Sequence, residues 1–205
     1  MPTIRPYRSD DLSALYAICL ATGASGADAA HLYRDPMIIG HIYAGPYGVL
    51  EPDSALVVED DGGVGGYIIG THDTFAFETR LEAEWWPDLR ARHADPAGPR
   101  EGWSADERMA YLIHHPARTP RRISQAYPAH LHIDMLPRLQ GMGVGRTLIA
   151  AWLARMAARG VGAVHLGVGP ANARAVRFYR KYGFHEIEQL PEPWNTYWFG
   201  ISTSS

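Results

Sequence analysis

Three groups of residues in this sequence have types and spacings that could do chemistry. The first is Gln140-Gly141-Met142-Gly143-Val144-Gly145-Arg146. Glycines let a backbone approach a ligand closely, and a helix start adds free N–H groups and a positive dipole end. Together they form a diphosphate cradle made mostly of main chain, to which Arg146 could add a charge-assisted contact. The second group is Asn172 and Tyr179. About two helical turns apart, they share one face. Asn172 can cap the helix with its amide still able to bond a ligand, and a phenol at Tyr179 can lend a proton to a leaving thiolate. The third group is His130, His132 and Asp134 on one strand. Alternate strand positions share a face, and an attacking amine must first be neutral, so these are the candidate bases.

Each feature also has a plainer reading. The glycine triplet alone is equally a tight turn with no ligand. Its order is Q-x-x-G-x-G, late in the chain and after a hairpin. A dinucleotide fingerprint would instead be G-x-G-x-x-G near the start of a strand–helix–strand unit. A lone tyrosine is more commonly a core aromatic, and the two histidines more commonly packed and satisfied. Asp134 divides evenly between a base and a structural hydrogen-bonding group. His114-His115 is rejected as a metal site, because adjacent helical residues face apart and no Cys or Glu completes a ligand set. The Asp60-Asp61 tip is read as a solvated turn. Trp85, Trp86 and Trp103 could line an acceptor groove, with core packing the expected role of most of them.

The elements that must position these groups follow from local patterns. Thr3–Tyr7 predicts a strand, followed by a helix capped by Ser9 or Asp10 and stopped at Gly23. His31–Tyr33 predicts a helical piece broken by Asp35-Pro36, and Ile38, Ile39 and Ile42 another short helix. Two β-rich runs around Asp60-Asp61-Gly62-Gly63 predict a hairpin. Residues 78–127 read as a helical insertion over one end of the sheet, with helices at Leu81–Arg92 and Ser104–His114, too short for a core of its own. Ala129–Leu136 and Gly162–Val168 read as strands. Gly143–Arg159 reads as an amphipathic helix and Asn172–Tyr182 as one closed by Gly183. Phe184–Gln189 and Thr196–Ile201 close the sheet.

With both motifs in order, the chain resembles the GNAT acetyltransferase superfamily. The Gln140–Gly145 loop is similar to its acetyl-CoA signature, and Asn172…Phe178-Tyr179…Gly183-Phe184 to its second block. The pair covers roughly residues 129–189. A narrower resemblance runs through Ser54–Asp60, Gly65–Thr71, Trp86-Pro87 and Ile133-Asp134. These look like the C-terminal acetyltransferase-like domain of animal O-GlcNAcase, with this chain as a bacterial relative. That animal domain lacks the glycine-rich loop, which this sequence keeps.

The resemblance implies an α/β GNAT fold. Its mixed, mostly antiparallel sheet would have six to seven strands, splayed at strands four and five and flanked by helices. It implies acetyl-CoA as cosubstrate, no metal, and an amine acceptor, either a small molecule or a protein lysine. By the same resemblance, Met135 and Leu136 main-chain groups bond the pantetheine arm, and the amides of Gly141–Arg146 hold the diphosphate. Asn172 touches the pantetheine or phosphate region, Tyr179 protonates the departing sulfur, and Asp134 becomes the first choice of base. The alternative is a GNAT-fold module that binds acetyl-CoA or a peptide without turnover.

Composition bounds these expectations. A chain of 205 residues is expected to form a single domain spanning 1–205. Its formal net charge of -3 gives no reason to expect nucleic acid as a partner. The N-terminus has no apolar core of signal-peptide length and no apolar run is long enough to cross a bilayer, so no membrane partner and a cytoplasmic location are expected. A monomer or homodimer is the expected state. Cys19 lies in an apolar pattern, where a small buried hydrophobe is the better reading than a nucleophile.

Overall fold

A computed structural model describes residues 1–190 and 195–203. The chain opens with β1 (Thr3–Pro6) and α1 (Leu12–Thr22), then two short helices, α2 (Ile38–Tyr43) and α3 (Gly45–Leu50). The hairpin follows as β2 (Leu56–Asp60) and β3 (Gly63–Thr71). Gly63 takes a φ of 83° at the turn, and Asp60 accepts the Gly62 amide at 2.9 Å. Asp60 also pairs with Arg138 at 3.1 Å, so the acidic tip is a tied turn.

Between β3 and β4 the chain forms α4 (Thr74–Arg80), α5 (Trp86–Arg92), α6 (Ala105–His114) and α7 (Arg121–Ala126). The rest is β4 (Ala129–Met135), α8 (Val144–Ala158), β5 (Ala163–Val168), α9 (Ala173–Tyr182), β6 (His185–Leu190) and β7 (Thr196–Ser202). The seven strands run in the order β1-β2-β3-β4-β5-β7-β6. All neighbours are antiparallel except β4 and β5.

Alternation along the central strands divides the interior in two. Val58 and Ile68 face α8 and α9, where Leu148, Ile149, Trp152, Met156, Val176 and Tyr179 complete one core. Val57, Tyr67 and Ile69 face the other way, onto Leu15, Ile18, Cys19 and Ile39 of α1 and α2. Burial pushes the Cys19 thiol up to about 12, which makes it the inert hydrophobe that its apolar setting predicted. The insertion builds a third, smaller cluster from Trp86, Leu89, Ala110 and Ile113, completed by Ile38 of α2.

Several local expectations change. His31–Tyr33 forms turns rather than a helix. The following amides, Arg34 and Asp35, are taken by the distant Asp106 carboxylate at 3.0 and 2.9 Å, so tertiary contacts override a three-residue signal. The helix expected from Leu81 begins at Thr74, where Asp73 caps it by accepting the Ala76 amide. It loosens into a π turn over Leu81–Trp85 before α5. Pro87 explains the loosening: it has no N–H, and its ring would strike the carbonyl one turn earlier. α3 and α7 were not anticipated. α3 carries Gly45, Pro46 and Gly48, which disguise it as a loop; a side chain at Gly45 would collide with the Tyr16 ring.

Candidate active site

The glycine loop follows the end of β4. Gly141 and Gly143 have φ of 78° and 79°, the left-handed region that favours glycine. A side-chain carbon built on either meets nothing within 4 Å. Gly145 is different: its Cβ would lie 2.8 Å from the Met135 methyl, so glycine there lets α8 close onto β4. Among the described residues, the amides of Gly141, Met142, Gly143, Val144 and Gly145 have no acceptor. Gln140 N–H bonds Pro137 O at 3.1 Å, and Arg146 N–H bonds Gly143 O at 3.0 Å. The free donors are therefore the run from Gly141 to Gly145, not the whole loop.

Two side chains of the loop serve the framework. The Gln140 amide donates to Met135 O at 2.7 Å and accepts from Arg174 at 2.6 Å, bracing the loop between β4 and α9. The Arg146 guanidinium lies 5.0 Å from the Tyr182 ring centre and reaches toward the Lys181 carbonyl.

Beside the loop the sheet opens. β4 pairs with β3 at six positions, but with β5 only at Ala129↔Val164 and His130↔His165. Beyond His130 the two strands part. Leu136 N–H is engaged by Gly65 O of β3 at 2.8 Å. By alternation, the Met135 amide points to the vacated β5 side, so Met135 rather than Leu136 offers a free main-chain donor there. Asn172 caps α9 by accepting Ala175 N–H at 3.1 Å. Tyr179 packs with Phe184 and Phe199 in the core and is 8% exposed. Its hydroxyl has no hydrogen-bond partner among the described residues. Burial, then the nearby Asp134, holds the phenol well above its ordinary range.

A cavity of about 610 Å³ lies on the α1–α4 side and reaches into the gap between β4 and β5. His130 and His132 of β4, His165 of β5, Tyr47 of α3 and Glu78 of α4 line it, with Trp86 from the insertion. Trp85 instead donates to His41 O, and Trp103 packs on Tyr111, so of the three tryptophans only Trp86 meets the cavity. Burial lowers His132 and His165 to about 4 and pushes His130 well below its ordinary range. Asp134 shares the His132 face but is not part of the cavity wall. Its Oδ2 accepts from Tyr67 at 2.7 Å, and burial raises the carboxyl above the ordinary carboxylate range. His114 and His115 go to separate partners, His93 O and Asp95. No group of three metal-ligating side chains converges among the described residues. Nor is any described helix long and apolar enough to cross a membrane.

The cradle, the parted strands and the cavity coincide with the span over which this sequence matches the acetyltransferase (GNAT) family, residues 40–184. The chain belongs to that family. It is 27% identical over 188 residues to protein O-GlcNAcase of Rattus norvegicus, covering 92% of this chain but 20% of the relative. It thus spans about a fifth of the length of that protein. Mycothiol acetyltransferase of Thermomonospora curvata is 35% identical over 113 residues, 53% of this chain and 37% of the relative. Among solved structures, SsHAT is 41% identical, with a TM-score of 0.88 and coverage of 100% of this chain and 99% of that one. The fold is also shared with yncA of Salmonella typhimurium, solved with acetyl-CoA. That protein is 17% identical with a TM-score of 0.56, covering 100% of this chain and 95% of that one.

Family membership makes acetyl transfer the class of chemistry, and this GNAT site has groups that sequence reasoning missed. Tyr47, Thr74, Glu78 and His165 were not singled out. Tyr47 sits in a stretch whose glycines and proline conceal its helix. His165 carried one usable signal: a second histidine on a strand that could lie beside the His130 strand.

Proposed function

We propose that this chain transfers an acetyl group from acetyl-CoA to a primary amine. The single observation that carries the reading is the run of amides from Gly141 to Gly145 without an acceptor among the described residues, exposed at Gly141 to Gly143 and set beside a parted β4 edge. Such a run suits a diphosphate, because donors and helix dipole act together and no side chain fills the space. The Met135 amide on the free edge would bond the pantetheine arm, and the Asn172 side-chain N–H₂ would meet its phosphate end. Gln140 and Arg146 would act by holding the loop's shape.

When bound, acetyl-CoA supplies a thioester carbonyl that a neutral amine can attack. The residues of the chain do the rest. Tyr179, protonated across the physiological range, holds its proton ready for the departing sulfur. The cavity admits an amine from the α4 side toward the gap. Its volume falls within the range usual for small-molecule sites.

The test is turnover of acetyl-CoA with a panel of amines, followed by thiol release, alongside calorimetric binding of acetyl-CoA and of NAD. Binding of acetyl-CoA with amine-dependent release supports the proposal. Binding with hydrolysis no faster than background would instead make the chain a non-catalytic module.

A further inference from the structure

A line of hydrogen bonds crosses the cavity wall, and its proton positions can be worked out from one end. Thr74 Oγ1 lies 2.7 Å from Pro128 O and 2.8 Å from His130 Nδ1. His130 Nε2 lies 2.7 Å from the Tyr47 hydroxyl, which lies 3.0 Å from His132 Nε2. A carbonyl can only accept, so the one hydroxyl proton of Thr74 points at Pro128. The Thr74 oxygen must then accept, which puts the His130 proton on Nδ1. His130 is neutral, packed among His132, His165 and Phe77 with no carboxylate bonded to it. Its Nε2 therefore carries a lone pair and takes the Tyr47 proton. The Tyr47 oxygen is left as an acceptor, so His132 carries its proton on Nε2. One position remains: His132 Nδ1 has a bare lone pair, and it has no partner among the described residues.

We infer that His132 Nδ1 accepts the proton of the incoming amine, and that Tyr47, His130 and Thr74 are positioning residues that fix its tautomer. This rests on the acetyl-transfer reading and deepens it. In the step, an N–H bond of the substrate ammonium breaks and its electron pair stays on nitrogen. The proton forms a new N–H bond at Nδ1, and the positive charge passes to the imidazole. It leaves for water when the product departs. Asp134, the first choice from sequence, is less suited. Tyr67 already bonds its Oδ2, and it stands outside the cavity wall.

The titratable groups around His132 are Tyr43 and Tyr47 from the α2–α3 corner, His130 and Asp134 on β4, and His165 on β5. Glu78 of α4, Glu82 and Arg118 face the same cavity. Burial, and then the nearby His165, keep the imidazole unprotonated down to about pH 4. The wild-type rate with an ammonium substrate should therefore be nearly flat from about pH 5 to 8.

Imidazole ¹⁵N NMR of the full chain tests the tautomers without any substrate. His132 should be protonated at Nε2 and His130 at Nδ1, and Tyr47→Phe should leave His132 a mixture of both forms. A wild-type His132 protonated at Nδ1 would overturn the inference. His132→Gln then tests the role, because its amide can still donate to Tyr47 while offering no base. At pH 7 its kcat should fall about 10²-fold, with acetyl-CoA affinity unchanged. Its rate should climb about tenfold per pH unit below the amine's own pKa, since only free amine would react. Should the Gln variant fail to fold, His132→Asn gives the same readouts. A rate within about threefold of wild type, with the flat profile kept, would sink the inference and leave acetyl transfer standing. Absence of acetyl-CoA binding by the wild type would sink the transfer reading and this role for His132 with it.

Discussion

Gly143 offers the sharpest test of the cradle, because its effects on the fold and on the ligand separate. Its φ of 79° costs a residue with a Cβ about 1–2 kcal/mol. No atom lies within 4 Å of that Cβ position, so no steric penalty adds to the strain. For a chain of this size, about 1 kcal/mol moves the melting temperature by about 2–4 °C. Gly143→Ala and Gly143→Trp should therefore both fold and melt a few degrees below wild type. They should differ in binding. An indole would lie over the free amides of the loop, and losing two charge-assisted hydrogen bonds at about 1.5–3 kcal/mol each weakens a ligand about 10²–10⁴-fold. Alanine, much smaller, should weaken it less. Calorimetric titration with acetyl-CoA beside a thermal melt measures both quantities. Wild-type affinity in a folded Gly143→Trp protein would refute the cradle.

Other predictions follow from single contacts. Tyr179→Phe should lower kcat about 10²-fold while acetyl-CoA affinity changes little; an unaltered rate would return Tyr179 to a packing role. Trp152 is fully buried and donates to Ser54 O at 2.6 Å, so Trp152→Phe strands that carbonyl and opens a void. A loss of about 2–4 kcal/mol in urea unfolding is expected, and a change under about 1 kcal/mol would contradict it. His132 and His165 are held near 4 against an ordinary value of 6.5, so the folded chain binds fewer protons than the unfolded chain between those values. Stability should accordingly fall as pH drops from about 6.5 to about 4, by up to about 1.4 kcal/mol per pH unit for each group. Urea midpoints that stay level across that window would show the imidazoles to be solvated.

The second half of the chain was the more legible. From β4 to α9, glycines at left-handed positions, an Asn cap and an amphipathic period all act within a few residues, so local pattern and final structure agree. The hairpin was legible for the same reason. Where the deciding partner is distant, the sequence was silent. Nothing near Tyr47 says that it will bridge His130 and His132 across more than eighty positions. Gln140 looked like a ligand contact because its partner Arg174 lies on another helix. Arg146 reads as a phosphate contact, and nothing in its own stretch of sequence announces the Tyr182 ring that lies 5.0 Å from its guanidinium. The π turn needed knowledge that a helix already ran from Thr74 before Pro87 disturbed it.

The short pairing of β4 with β5 has a consequence for how this protein protects its own backbone. A sheet normally keeps its unpaired amides at the rim, yet here Ile133 and Met135 present theirs in the middle, between two well-laddered halves. Those amides should exchange with deuterated solvent far faster than their neighbours facing β3. A ligand that lies along the gap as a surrogate strand should slow them together.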